Sequence, residues 1–132
     1  RAGDGVPALE EIMDAFVAPV LLGFMGTPFT ALMGRMYAEP GDFARRVVGV
    51  HIGEIARRFS AALRHALPGL TEEDLFWRMH FSVGALAHTL AGGKLLEVLS
   101  QGMCMMSDVQ AIRKRMVAFL CAGLRAQASE NL

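Results

Sequence analysis

Residues 71–91 read TEEDLFWRMHFSVGALAHTLA, and this stretch decides the fold class. Thr71 followed by three acidic residues is typical of a helix start, because carboxylates stabilise the positive end of the helix dipole. From Leu75 onward, apolar residues cover far more of the predicted helix than the stripe of about 100° that a surface helix buries. The stretch therefore predicts a helix that ends at Gly92-Gly93 and is covered on two sides.

Helical spacing extends over the rest of the chain. Apolar residues recur at i, i+3 and i+4, and no stretch alternates with period two, so we expect an all-α fold of five to six helices. A chain of this length fits one domain, residues 1–132. The other predicted helices are one from Pro7 that Pro19 bends or ends, one from Thr27-Pro28 to Tyr37, one from about Asp42 to Leu67, and one from a capping box at Ser107 and Gln110 to about Gln127.

The composition excludes a nucleic-acid-binding domain. The chain has 13 Lys and Arg residues against 13 Asp and Glu residues, whereas such domains are normally basic. Its hydrophobic share of 53% exceeds the usual value. One small core does not use that much apolar surface, so the excess indicates a partner chain, an apolar ligand or a membrane.

A membrane span is the least suitable of these three. Residues 15–34 carry no formal charge, and this uncharged stretch is long enough for a spanning helix. However, Pro19, Gly23, Gly26 and Pro28 would break that helix twice, and lipid cannot satisfy the freed backbone groups. A buried turn between two short helices is the better interpretation.

The sequence offers no catalytic or cofactor motif. It lacks a GxSxG motif and a glycine-rich phosphate loop, so we expect no enzymatic activity and no cofactor. The histidines lack metal-ligand spacing, and we expect no metal. Met103 to Met106, with Cys104 between them, could hold Cu(I), but a Met-rich turn facing a core gives the same residues. Two cysteines without a CxxC spacing fit a reduced, cytoplasmic protein.

Small residues form strips on two doubly apolar helices, 75–91 and 109–124. Ordinary core packing within a monomer explains one such helix. Two of them favour a homodimeric four-helix bundle, to which each subunit contributes two helices. The expected interface residues are Gly84, Ala87, His88 and Ala91 on the first helix and Ala111, Ala118 and Ala122 on the last.

A second group of residues is large, flexible or aromatic. Such side chains either fill the core or line an internal apolar pocket, and methionine adapts to irregular cavities. Because the group is large for so small a domain, we expect a pocket for a hydrophobic molecule. The expected ligand-binding residues are Phe16, Phe24, Phe29, Met33, Tyr37, His51, Phe59, Trp77, His80 and Met103.

Three stretches of the sequence are similar to those of a known protein family. RFSAALRHALPGL at 58–70, LFWRMHFSVGALAH at 75–88 and VAFLCAGLRA at 117–126 resemble the C-terminal domain of bacterial tetracycline-repressor-family regulators. Within that family the chain is most similar to the subgroup that responds to long-chain fatty acids. The resemblance implies an effector domain whose last two long helices, about 71–91 and 107–127, form the dimer bundle.

The resemblance also implies how the full-length protein works. The family's helix–turn–helix head would precede Arg1, and this chain, which begins without Met or a signal peptide, is expected to be a fragment that contacts DNA only through that missing head. A hydrophobic effector, such as a fatty acid or acyl chain, would release the full-length repressor from DNA. The alternatives are a stand-alone helical lipid-binding protein, a small helical enzyme, or a dimerisation module with a closed pocket.

Overall fold

The computed structural model describes residues 7–24, 41 and 53–127, and within these ranges every regular element is a helix. The elements are α1 (Leu9–Phe24), α2 (Gly53–Ala66), α3 (Glu72–Leu99) and α4 (Val109–Arg125). The predicted all-α fold class is confirmed. The predicted helix from Thr27 to Tyr37 and the first part of the predicted long helix, residues 42–52, lie outside the described residues.

Helix α1 is amphipathic and provides much of the core. Its buried residues Leu9, Ile12, Met13 and Val17 follow the predicted helical spacing. Pro19 lies inside the helix and does not end it. Because Ala15 and Pro19 are both exposed, water can reach the Ala15 carbonyl that the missing proline N–H leaves unpaired.

Helix α3 starts as predicted and ends later than predicted. The Thr71 hydroxyl accepts a hydrogen bond from the Asp74 N–H at 3.1 Å, which confirms the cap. The predicted end at Gly92-Gly93 is wrong, because the helix continues to Leu99. Gly93 is buried against Met106, and a Cβ there would lie 2.4 Å from the Met106 Sδ. The missing side chain of Gly93 therefore allows Met106 to pack closely against α3.

The segment between α3 and α4 folds back on α3. Gln101 and Gly102 have φ values of 54° and 83°, a left-handed conformation that commonly ends a helix. The Met106 N–H then donates to the Glu97 carboxylate at 2.8 Å. Helix α4 is capped by Asp108, whose carboxylate accepts from the Ala111 N–H, so the predicted capping box at Ser107 is one residue early.

The core lies where α1 packs against α4, with α2 and α3 completing it. Its buried members are Leu9, Ile12, Met13, Val17, Leu21, Leu63, Leu75, Leu86, Met116, Leu120, Cys121 and Leu124. No helix within the described ranges is long and apolar enough to span a membrane.

Two ion pairs join α1 to α4. The Arg113 guanidinium donates to both Asp14 carboxylate oxygens at 2.6 Å, and Arg125 pairs with Glu10. The hydrogen bond from Arg125 lowers the pKa of Glu10 from 4.5 to about 2, and Arg113 likewise lowers the pKa of Asp14. These pairs fix how α1 lies along α4.

Candidate functional site

A small cavity lies where α1, α2 and α3 meet. Its volume is about 30 Å³. The rings of Phe16 and Phe59 form one side of it and pack edge to face, with their centroids 5.4 Å apart. The remaining lining residues are Met13, Leu63, Met79, Ser82 and Val83.

The cavity lining is almost wholly apolar. Ser82 is the one polar residue among the described lining residues, and its hydroxyl donates to the Arg78 carbonyl at 2.8 Å. That internal hydrogen bond leaves only the hydroxyl oxygen to accept from a guest. A volume of about 30 Å³ holds a group no larger than a water molecule, whereas small-molecule sites span about 300–1,000 Å³.

The structure brings together two of the residues predicted to bind ligand, Phe16 and Phe59. Trp77 and His80 lie on the exposed side of α3, and Met103 is 87% exposed after that helix, so these three do not line the cavity. The Phe24 side chain and residues Phe29, Met33, Tyr37 and His51 lie outside the described part.

Sequence reasoning missed several lining residues. Met79 and Val83 lie four residues apart on α3, and Leu63 lies four residues after Phe59 on α2. That spacing was visible in the sequence. It could not show which side of a doubly apolar helix faces the cavity.

The opposite side of α3 presents exposed aromatic rings. Phe76, Trp77 and Phe81 are each more than half exposed, and the Trp77 and Phe81 rings stack with centroids 5.8 Å apart. The His80 ring lies 6.0 Å from both the Trp77 and the Phe81 ring. Soluble monomers seldom leave such contiguous apolar surface uncovered.

This surface continues along the whole helix. At about 1.5 Å per residue, the 28 residues of α3 span roughly 42 Å. We call the partly or fully exposed residues on this side the α3 face. They are Phe76, Trp77, His80, Phe81, Gly84, Ala87, His88, Ala91, Leu95, Val98 and Leu99.

Helix α4 also has an exposed apolar side. Ala118, Phe119 and Ala122 are exposed, and Phe119 is 73% exposed. Ala111, one further predicted interface residue, is half-buried. All seven residues predicted for the dimer interface are therefore at least partly accessible on α3 or α4.

Arg78 links α3 to the end of α4. Its guanidinium donates to the carbonyls of Gly123, Leu124, Ala126 and Gln127 at 2.7–3.0 Å. These carbonyls lie at a helix C-terminus, where intrahelical partners run out. One feature of the sequence pointed to this residue: it is a single cation within an apolar run.

Metal-binding groups are not clustered in the part of the chain that the structure describes, where no three His, Cys, Asp or Glu residues come together. Cys104 is exposed and Cys121 is buried, and burial raises the pKa of the Cys121 thiol. Neither cysteine is in a disulfide.

Comparison with known proteins places this architecture. The family of tetracyclin repressor-like C-terminal domains matches residues 14–123, which is most of the chain. No curated protein matches it. Domains of this family sense a small-molecule effector and mediate dimerisation in transcriptional regulators. The chain belongs to the tetracycline-repressor-like C-terminal domain family.

Proposed function

We propose that this chain is the effector-sensing and homodimerisation domain of a cytoplasmic repressor, and that a fatty acid or acyl chain releases the full-length protein from DNA. One observation carries the proposal: both candidate surfaces lie on α3. Met79, Ser82 and Val83 line the cavity, while Trp77 and Phe81 lie on the α3 face. A guest that displaces α3 from the cavity side must also move the surface on its other side.

The exposed apolar area supports the dimer. An aromatic side chain buries roughly 200 Å², so each half-exposed ring of the α3 face leaves about 100 Å² uncovered and the more exposed Phe119 about 150 Å². Together with Leu95, Val98 and Leu99, they expose on the order of 800 Å², the area that one partner contributes to a standard interface. Two helices per subunit would thus form the bundle.

The cavity supports a hydrophobic effector. Its lining offers one hydroxyl and otherwise only carbon and sulfur atoms, so a charged group gains no partner there. Residues 25–52 connect α1 to α2, two helices that flank the cavity. We propose that Phe24, Phe29, Met33, Tyr37 and His51 supply the remaining lining, with His51 or Tyr37 near the polar head.

A dimerisation module with a closed pocket is the second candidate. The cavity volume of about 30 Å³ favours it, because a bound acyl chain requires Met13, Phe16 or Met79 to move. The two candidates differ in whether the domain binds an apolar guest, and both require the dimer.

The dimer is tested with one buried charge. We expect Ala87→Asp to convert the dimer to a monomer, because an unpaired carboxylate in an apolar interface costs several kcal/mol. Ala61→Asp, at an exposed position of α2, is the matched control and should remain dimeric. Sedimentation velocity at micromolar concentration gives the result. A monomer for the unmodified domain would refute the proposed dimer.

The effector is tested with saturated fatty acids of increasing chain length. Each buried methylene contributes about 0.8 kcal/mol, so the thermal midpoint should rise with chain length until the pocket is full. Phe59→Ala enlarges the cavity and should move that limit to longer chains. Midpoints that do not depend on chain length in either protein would favour the closed-pocket module.

A further inference from the structure

Three sulfur-bearing side chains lie next to one another on the turn between α3 and α4. Met103 is 87% exposed, Met105 is 47% exposed, and Cys104 between them is exposed as well. A Met-rich turn that faces the core would bury these side chains, so the core-facing interpretation holds only for Met106, which packs against Gly93. Methionine and cysteine are normally among the most buried residues. Here a thiol and two thioethers face solvent within three consecutive residues.

The backbone of this turn is held at both ends. The Ser100 hydroxyl accepts a hydrogen bond from the Cys104 N–H at 3.0 Å, and the Ser100 carbonyl accepts one from the Met103 N–H at 3.1 Å. On the other side, the Met106 N–H donates to the Glu97 carboxylate at 2.8 Å. Because this backbone is already ordered, a ligand that binds the three sulfur atoms pays little of the usual cost of ordering a loop.

We propose that Met103, Cys104 and Met105 form a site for one Cu(I) ion, independently of the dimer and of the effector pocket. Thiolate and thioether sulfurs are soft ligands that suit Cu(I). On binding, the Cys104 thiol loses its proton to solvent and its sulfur forms the bond to copper, so one negative charge meets one positive charge. The two thioethers donate lone pairs and add no charge. Copper enters and remains as Cu(I), so no electron is transferred.

The spacing allows all three sulfurs to reach one ion. Consecutive Cα atoms are about 3.8 Å apart, so Met103 and Met105 each begin one residue from the Cys104 thiolate. A methionine side chain has three rotatable bonds, and neither of these two methionines is fixed in the core. Both thioethers can therefore turn toward a metal ion that is bound to the Cys104 sulfur.

The same set of ligands is unsuitable for Zn²⁺. Zinc sites usually take four ligands from cysteine, histidine and carboxylate groups. In the ranges that the structure describes, no three His, Cys, Asp or Glu residues come together, so Cys104 lacks the companions that Zn²⁺ requires. The expectation of no metal rested on histidine spacing, which carries no information about a sulfur site. One thiolate with two thioethers therefore favours Cu(I).

Anaerobic competition with bicinchoninate, a coloured Cu(I) chelator, measures the affinity and the number of ions bound per chain. The wild type is compared with Cys104→Ser and with Met103→Leu/Met105→Leu. The matched control is Cys104→Ser/Ala61→Cys, which presents one exposed thiol on α2 without neighbouring methionines. All four proteins retain the buried Cys121, so its contribution is the same in each.

We expect the wild type to bind one Cu(I) per chain and Cys104→Ser to lose this binding. Met103→Leu/Met105→Leu and the matched control should each bind at least about tenfold more weakly than the wild type, since even outer-shell changes at metal sites cost that much. Unchanged thermal midpoints without copper verify that the variants fold. Equal affinity of the wild type and the matched control would overturn the site, and so would one ion per two chains, because both results describe a thiol that acts without its methionines.

Discussion

A single charged side chain, Arg78, satisfies the end of α4. The Arg78 side chain is only 12% exposed, and its guanidinium replaces the intrahelical donors that the last carbonyls lack. Helices often end with a glycine that serves this purpose, but α4 ends with Ala126 as its C-cap. The arginine therefore connects the two helices of the proposed bundle within each subunit.

Removal of this guanidinium should destabilise the domain. We expect Arg78→Met to lower the free energy of unfolding by about 2 kcal/mol, because the four carbonyls at the end of α4 lose a charged donor. Urea denaturation measures the loss, and amide exchange should accelerate at residues 121–126. Arg57→Met, at an exposed ion pair on α2, is the control and should change stability by less than about 1 kcal/mol. Equal losses in the two variants would contradict this role.

Local capping was predictable from the sequence, and long-range capping was not. The hydrogen bond that caps α3 forms between Thr71 and Asp74, which are only three positions apart, so a short stretch of sequence contains both partners. The partners of Arg78 lie on another helix. For α4, Ser107 and Asp108 are adjacent acceptors, and only the backbone geometry decides which one caps.

At the scale of elements, the contact between α1 and α4 combines core burial with the two ion pairs of Asp14 and Glu10. The pKa values of both carboxyls are lowered by their arginines in the folded state. Such groups stabilise the fold fully above their unfolded pKa values, and this stabilisation is lost as the pH falls toward the folded values.

The stability of the domain should therefore depend on pH through this contact. We expect Glu10→Gln/Asp14→Asn to be less stable than the wild type at neutral pH, and to lose the difference between about pH 5 and pH 2. Urea midpoints measured across this range test the prediction. Arg113→Met/Arg125→Met should remove the same pH-dependent part, since it deletes the partners. A difference that persists at pH 2 would exclude the ion pairs as its cause.

The close contact between Gly93 and Met106 gives a second prediction at this scale. Gly93→Ala should destabilise the domain by about 1–2 kcal/mol, because the new methyl group displaces Met106. In a Met106→Ala background the same substitution should be neutral or stabilising by up to about 1 kcal/mol, since alanine favours helix. Urea denaturation of the wild type, the two single variants and the double variant measures the coupling between the two substitutions. Additive effects would contradict the contact.

This contact also explains why the sequence misplaced the end of α3. Two adjacent glycines ordinarily favour a helix end, and nothing local reveals that one of them is buried under a residue from the following turn. The helix type was predictable from period and capping, whereas its length depended on tertiary packing.

At the scale of the whole molecule, the exposed position of Trp77 turns it into a reporter of assembly. Its indole is 55% exposed on the α3 face and does not line the cavity. We expect its emission to shift to longer wavelengths on dilution, as the dimer dissociates and water reaches the ring. Ala87→Asp should show the long-wavelength emission at all concentrations. A concentration-independent spectrum that matches this monomeric variant would argue against the interface.

The surplus of apolar residues was predictable, but its division between pocket and partner was not. Periodicity shows that α3 is apolar on nearly all sides, and it cannot show which side meets α1 and α2. Trp77 and Met79 are two residues apart and both count as hydrophobic in the sequence, yet Trp77 is exposed and Met79 lines the cavity. Only packing separates them.

The length of α3 has a mechanical consequence. If the helix pivots at Gly84, each arm is roughly 20 Å long, so a rotation of about 5° displaces both tips by about 2 Å in opposite directions. Met79, Ser82 and Val83 lie beside the pivot, so a small displacement of these residues corresponds to a larger displacement of both tips. A small change at the cavity can therefore move both ends of α3, because the helix is long and rigid.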